Sequence, residues 1–347
     1  MGFLPDKVSL YVSSAKLDSD LARALRLGNA RPRPFHDGVY LIECDKSKLR
    51  ELSTAWASLL PNRDLDMVRC SIYPSQVQPS VGDLMHSQTL RQLIDRVEGQ
   101  WLEDLLISGR LITYFQPIVR TDDPCCVFAH ECLIRGQEEN GDLIPPPKLF
   151  ATARATDRIA RLDHASRMSA IETAVKKQVS SRIFINFHPR FLDESGKYLY
   201  STFAAIFRSE IPTDRFVFEV VESDEITDVS GLMRTVDYCR EAGCQIALDD
   251  VGTGYNSLYL MSAIKPDFIK LDRDIIRDAH SDPYKGRIAA TLLELANELN
   301  IDTVVEGIED EASWRWALDN HAAYGQGFFF ARPNPEPLHS NNQHVFI

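Results

Sequence analysis

The chain has no apolar run near the ~18 residues that a membrane helix requires, and polar Asp6 and Lys7 stand where a secretory signal would be hydrophobic. A cytoplasmic protein without a membrane partner is the expectation. Positive charge is scarce: 38 basic side chains against 50 acidic ones leave a formal charge of −12. A body this acidic repels polyphosphate, which argues against polymeric nucleic acid and anionic membrane as partners. Cysteine is limited to seven scattered residues with no C-x-x-C pair, so no thiol redox centre or zinc knuckle is indicated and reduced thiols are expected. Low-complexity tracts and short identical repeats are also missing. What remains is a composition that is 44% hydrophobic over 347 residues, enough to bury one large domain, or a large one with a small one.

Residues 7–12, 39–43 and 66–73 read as strands, with helical patterns over 17–27 and 46–60 between them. Residues 1–75 therefore predict a small α/β domain, and no cofactor motif is found in it. The proline- and glycine-bearing stretch 74–82 breaks the pattern. A helical stripe follows over 84–107, including Leu90, Leu93, Ile94, Val97 and Trp101, so 76–108 reads as linker and helix. That stripe fits a packing helix as well as a coupler between two halves. From 109 to 347 one unit recurs, a short β-branched or aromatic run and then a longer amphipathic stretch. The runs lie at 113–119, 127–134, 183–187, 216–221, 245–248, 268–271, 303–305 and 327–330. Eight strands alternating with helices predict a TIM-like (β/α)8 barrel.

Chemistry gathers where those runs end. Glu131, Asn186, Glu219, Glu222, Asp249, Asp250, Lys270, Asp272 and Glu306 all sit in or just after predicted strands. A lone Asp or Glu in such a place is commonly a helix cap, but repetition after most strands points to one shared rim. Several carboxylates brought together repel one another and lose water, and hard divalent cations remove that cost. A set of Asp, Glu and Asn oxygens suits Mg²⁺ or Mn²⁺ better than zinc. Lys270 by itself fits a Schiff-base lysine, an ion-pair partner, or the proton-abstracting base of an enolase-like barrel. Asp272, two residues on, favours a charged ammonium. The glycines after Asp249-Asp250 allow a tight loop, and Gln326 at the start of GQGFFF is placed to hydrogen-bond a ligand.

Taken in order, YFQPIV (114–119), HECLIRG (130–136), INFHP (185–189), FEVVES (218–223), DDVGTGYNSL (249–258), KPDFIKLDR (265–273), VVEGIE (304–309) and GQGFFFARP (325–333) resemble the EAL domain family of bacterial cyclic di-GMP phosphodiesterases. The resemblance runs from about 111 to 335. It implies a barrel whose first strand is antiparallel to the rest, and hydrolysis of cyclic di-GMP to linear pGpG with two Mg²⁺ or Mn²⁺ ions activating a water. It further implies that Glu131, Asn186, Glu219 and Asp249 ligate one ion and Asp249 and Asp250 the other. Glu306 is then a ligand or general base. Lys270 contacts the attacking water or a phosphate oxygen, and Asp272 orients the site. Gln116, Leu133, Arg135 and Gln326 resemble substrate contacts, and Glu222 and Glu309 resemble supports of the loop after Asp250.

Three positions depart from the family pattern: Cys132 replaces alanine, Val221 replaces threonine and Val251 replaces phenylalanine. No ligand is missing, which favours catalysis over two alternatives, a silent cyclic di-GMP receptor and an interaction module. A homodimer is implied by resemblance alone, and the N-terminal domain is left to receive a signal or protein partner. No cyclase motif is present, so synthesis of the messenger is not expected.

Overall fold

Among the described residues, separate hydrophobic clusters organise the chain. The computed structural model describes residues 7–13, 32–36, 39–75, 77, 87–188, 197–221, 229–252 and 257–339. One compact unit comprises Met1–Ser108 with Lys148–Arg158, the other Gly109–Pro147 with Ile159–Ile347.

In the first unit β1 (Lys7–Ser13), β2 (Arg33–His36), β3 (Val39–Asp45), β4 (Arg69–Pro74) and β5 (Gln88–Thr89) form an antiparallel sheet in the order β2-β3-β1-β4-β5. Alternation along β1 sends Val8, Leu10 and Val12 to one face. There they meet Leu49, Leu52 and Trp56 of the helix Lys46–Leu59 in a buried cluster. Asp45 starts that helix by accepting a hydrogen bond from the Lys48 amide at 2.8 Å.

Several expectations need correction here. The strand expected over 66–73 begins at Arg69, because Asn62–Met67 is helical. The short exposed strand β2 was not foreseen, and its Pro34 fits an edge position. The helical stripe is two helices, Leu90–Glu98 and Gln100–Ile107, meeting at Gly99. A side chain at Gly99 would collide with Thr156 Cγ2. The helix expected over 17–27 lies outside the described residues.

The second unit is a closed barrel. Its wall is β6 (Leu111–Arg120), β7 (Val127–Gln137), β9 (Arg182–Phe187), β10 (Phe216–Val221), β11 (Gln245–Val251), β12 (Phe268–Leu271), β13 (Asp302–Val305) and β14 (Tyr324–Gly325), with β6 pairing both β7 and β14 to close the ring. The two-residue β8 (Leu143–Ile144) pairs onto β7 outside the ring. As the family resemblance implies, β6 runs antiparallel to both neighbours, and the other wall strands pair in parallel. The last strand is not 327–330. Residues 327–330 form a turn, where Gly327 approaches the Ile308 backbone so closely that any Cβ would overlap it.

Outward-facing residues such as Phe187, Phe218, Ile246, Ile269 and Leu271 pack under the surrounding helices in one large core. Among the described residues no helix is long and apolar enough to cross a membrane.

Candidate active site

The inward positions of the barrel form two layers. Ile118, Ala129, Phe184, Val217, Ala247, Phe268 and Val304 make an apolar floor, with Tyr324 packed against it. Because strand side chains alternate, the next inward residue lies two positions along. For these eight strands that residue is Gln116, Glu131, Asn186, Glu219, Asp249, Lys270, Glu306 and Gln326. Each belongs to the polar set singled out from the sequence, so one register places them on one ring.

Lys270 sits at the centre. Its Nζ lies 2.6 Å from Glu306 Oε1, 2.7 Å from Glu219 Oε1, 3.3 Å from Asp249 Oδ1 and 3.4 Å from Glu131 Oε2. Both Lys270 and Glu219 are essentially sealed from solvent, at 1% and 0% exposure. Burial alone would push the lysine down, but four carboxylates outweigh it and hold the ammonium well above its usual range.

The carboxylates respond unequally. Burial pushes Glu131 up, yet the ammonium, Gln326 and Asn186 together hold it below the usual carboxylate range. The amide donors are explicit: Gln326 Nε2 at 2.7 Å and Asn186 Nδ2 at 3.0 Å. Among the described residues Glu219 has no such amide donors. Burial lifts it well above its usual range, with Glu131 and Asp249 adding to the shift against Lys270. Burial also raises Asp249, and pushes Glu306 up to about 8.

Asp250 shows how the backbone serves the site. On a regular strand it would face away from Asp249. Instead the pairing of β11 with β12 shifts between Leu248 and Val251, and Asp250 takes a left-handed φ of 57°. Carboxylate oxygens of Asp249, Asp250 and Glu306 consequently lie within 4.8 Å of one another, a grouping able to hold a metal ion. Burial, then Asp249 and Asp272, push Asp250 up to about 7.

The remaining expected residues are placed as follows. Asp272 caps the short helix Arg273–Ile276, accepting from the Asp274 amide at 2.6 Å, while its charge acts on Asp250. Leu133 and Arg135 continue the inward register of β7 beyond Glu131. The Arg135 guanidinium lies 5.4 Å from the Tyr114 ring centre, and Tyr114 pairs with Leu133. Sequence reasoning missed Tyr114, although its place two residues before Gln116 was a signal. Glu309 is exposed in the segment after β13. Glu222 lies outside the described residues. Cys132 and Val251 are buried in the outer core between wall and helices.

Residues 99–333 match the EAL domain family. The chain belongs to that family. The EAL barrel is 29% identical over 238 residues to the probable cyclic di-GMP phosphodiesterase PdeG of Escherichia coli, covering 65% of this chain and 45% of PdeG. It is 27% identical over 235 residues to the cyclic di-GMP phosphodiesterase RocR of Pseudomonas aeruginosa, covering 67% and 59%. The chain thus spans less than two thirds of the length of these curated relatives. A solved standalone EAL protein from Vibrio cholerae O395, in its c-di-GMP-bound form, superposes with a TM-score of 0.60 at 28% identity, covering 68% of this chain and 98% of that one.

Proposed function

We propose that this EAL barrel hydrolyses one phosphodiester of cyclic di-GMP to linear pGpG, lowering the messenger, with two Mg²⁺ or Mn²⁺ ions as cofactors. One observation carries the reading: five carboxylates, Glu131, Glu219, Asp249, Asp250 and Glu306, are gathered around the single ammonium of Lys270. Fully ionised, that group keeps a net charge of minus four, which two divalent cations balance. The oxygens fit such ions: Glu219 Oε2 is buried without a hydrogen-bond partner among the described residues, and every donor in the set is a hard oxygen. The names of the relatives and the c-di-GMP in the Vibrio structure support the choice of substrate.

Glu131, Asn186, Glu219 and Asp249 would hold one ion, and Asp249 and Asp250 the other. The chemistry supplied by such a bound pair is a more acidic water and offset charge on phosphoryl oxygens. The protein's own groups do the positioning. Asn186 and Gln326 fix Glu131 in its ionised form. Lys270 offers a permanent positive charge to a phosphate oxygen or the attacking water. Glu306 lies with Asp249 and Asp250 in the acidic grouping, where it would serve as a ligand or as a general base. Asp272 orients the neighbouring Asp250. Gln116 and Gln326 in the ring, with Leu133 and Arg135 further along β7, would serve as substrate contacts, and Glu222 and Glu309 remain assigned to loop support.

Purified protein incubated with cyclic di-GMP and Mg²⁺ is expected to release pGpG, with light scattering on the same sample reporting the homodimer that belongs to this reading. Saturable binding without pGpG overturns hydrolysis and leaves a receptor. A monomer at full turnover removes the dimer. Residues 1–75 stay assigned to a signal or protein partner, and turnover unchanged on their deletion would remove a regulatory role.

A further inference from the structure

His130 stands next to Glu131 on β7, so it points to the opposite side of the wall, away from the carboxylate ring. There it lines a cavity of about 170 Å³ with Ser180, Ser181, Leu338 and His339. The imidazole is only 2% exposed, and its Nδ1 lies 2.8 Å from Ser181 Oγ. Ser181 directs its own hydroxyl hydrogen to the Arg182 carbonyl at 3.3 Å, so its oxygen is free to accept from Nδ1–H. On that ground we assign the ring proton to Nδ1. Nε2 keeps its lone pair and has no hydrogen-bond partner among the described residues. A neutral imidazole oriented through one nitrogen, with the other open, is the arrangement of a metal-ligating histidine. His339 and Leu338 line the same cavity as His130.

We propose that this cavity binds one divalent transition-metal ion of the Zn²⁺ class through His130 Nε2 and His339. Imidazole nitrogen suits Zn²⁺, Ni²⁺ and Cu²⁺, whereas Mg²⁺ and Mn²⁺ prefer the carboxylate oxygens of the ring. The two sites therefore differ in donor chemistry and lie on opposite sides of β7. The Leu338 carbonyl and water would complete the coordination.

The test is Zn²⁺ uptake by the full chain in excess Mg²⁺, read by competition with a chromogenic chelator. One equivalent is expected. His339→Ala, at an exposed position, should weaken uptake about tenfold or more with the metal-free melting temperature unchanged, and His130→Gln should abolish it. A Glu131→Ala chain should still take up its equivalent. No uptake by the wild type, uptake unchanged in His339→Ala, or uptake lost in Glu131→Ala each overturns the site.

Discussion

The floor and the ring of the barrel are one step apart on the same eight strands, yet they do opposite work. In the floor, apolar side chains such as Phe184 and Val217 gain by leaving water. In the ring, Glu219 and Asp249 lose water beside like charges, and Lys270 opposes the repulsion. The floor stabilises the fold, and the ring places that stability at the disposal of binding. A site this costly to fold is maintained by what surrounds it, which is why its chemistry and its stability should be separable by mutation.

Two substitutions test that separation with the largest expected effects. Phe184→Ala should cost about 3–5 kcal/mol of stability through its lost burial and cavity, while the protein that remains folded keeps its turnover. Glu219→Gln, nearly isosteric, should lower turnover by about a hundredfold or more and leave metal-free stability equal or higher, because a carboxyl already resisting ionisation is replaced by a neutral amide. Denaturant melts and pGpG release on both variants decide it. If Glu219→Gln instead loses stability and keeps turnover, the division between layers is wrong.

A milder perturbation is pH. In the metal-free protein Glu306 is pushed up to about 8 and Asp250 to about 7, both chiefly by burial. Unfolded carboxyls release their protons near about pH 4. Between these limits the native state binds more protons than the unfolded one, so stability falls as pH rises. The melting temperature without metal is expected to be a few degrees lower at pH 8 than at pH 6, and Mg²⁺ should raise it more at pH 8, where protons no longer compete for the oxygens. A metal-free protein equally stable at both pH values would show that the ring is not under this strain.

Much of the ring was legible because strand-ending acids recur with the barrel's own period, and the family motifs named the same positions. What the sequence left open was geometric. Lys270 was read as one polar group among several, and its central place follows only from closure of the ring. Asp250 shares the rim with Asp249 through a bulge and a left-handed φ that spacing does not encode. The aromatic run at 327–330 imitates a strand, but the backbone contact at Gly327 makes it a turn and leaves Tyr324–Gly325 as the strand. The break at Gly99 was hidden for a related reason: periodicity continues across a position whose lack of a side chain matters more than its phase.

The smallest expected effect lies one residue from Glu131. Cys132 is buried in the outer core, with burial lifting its thiol well above the usual range, so it is neither a nucleophile nor part of the ring. Cys132→Ala restores the residue usual in the resembled motif and removes only a sulfur from the wall–helix layer. Stability should fall by about 1 kcal/mol or less, and turnover should stay within about twofold of wild type because Glu131 keeps its donors from Asn186 and Gln326 on the other face. A large loss of turnover at unchanged stability would mean that the two faces of β7 are coupled, and the independence claimed for floor, ring and outer core would have to be abandoned at that strand.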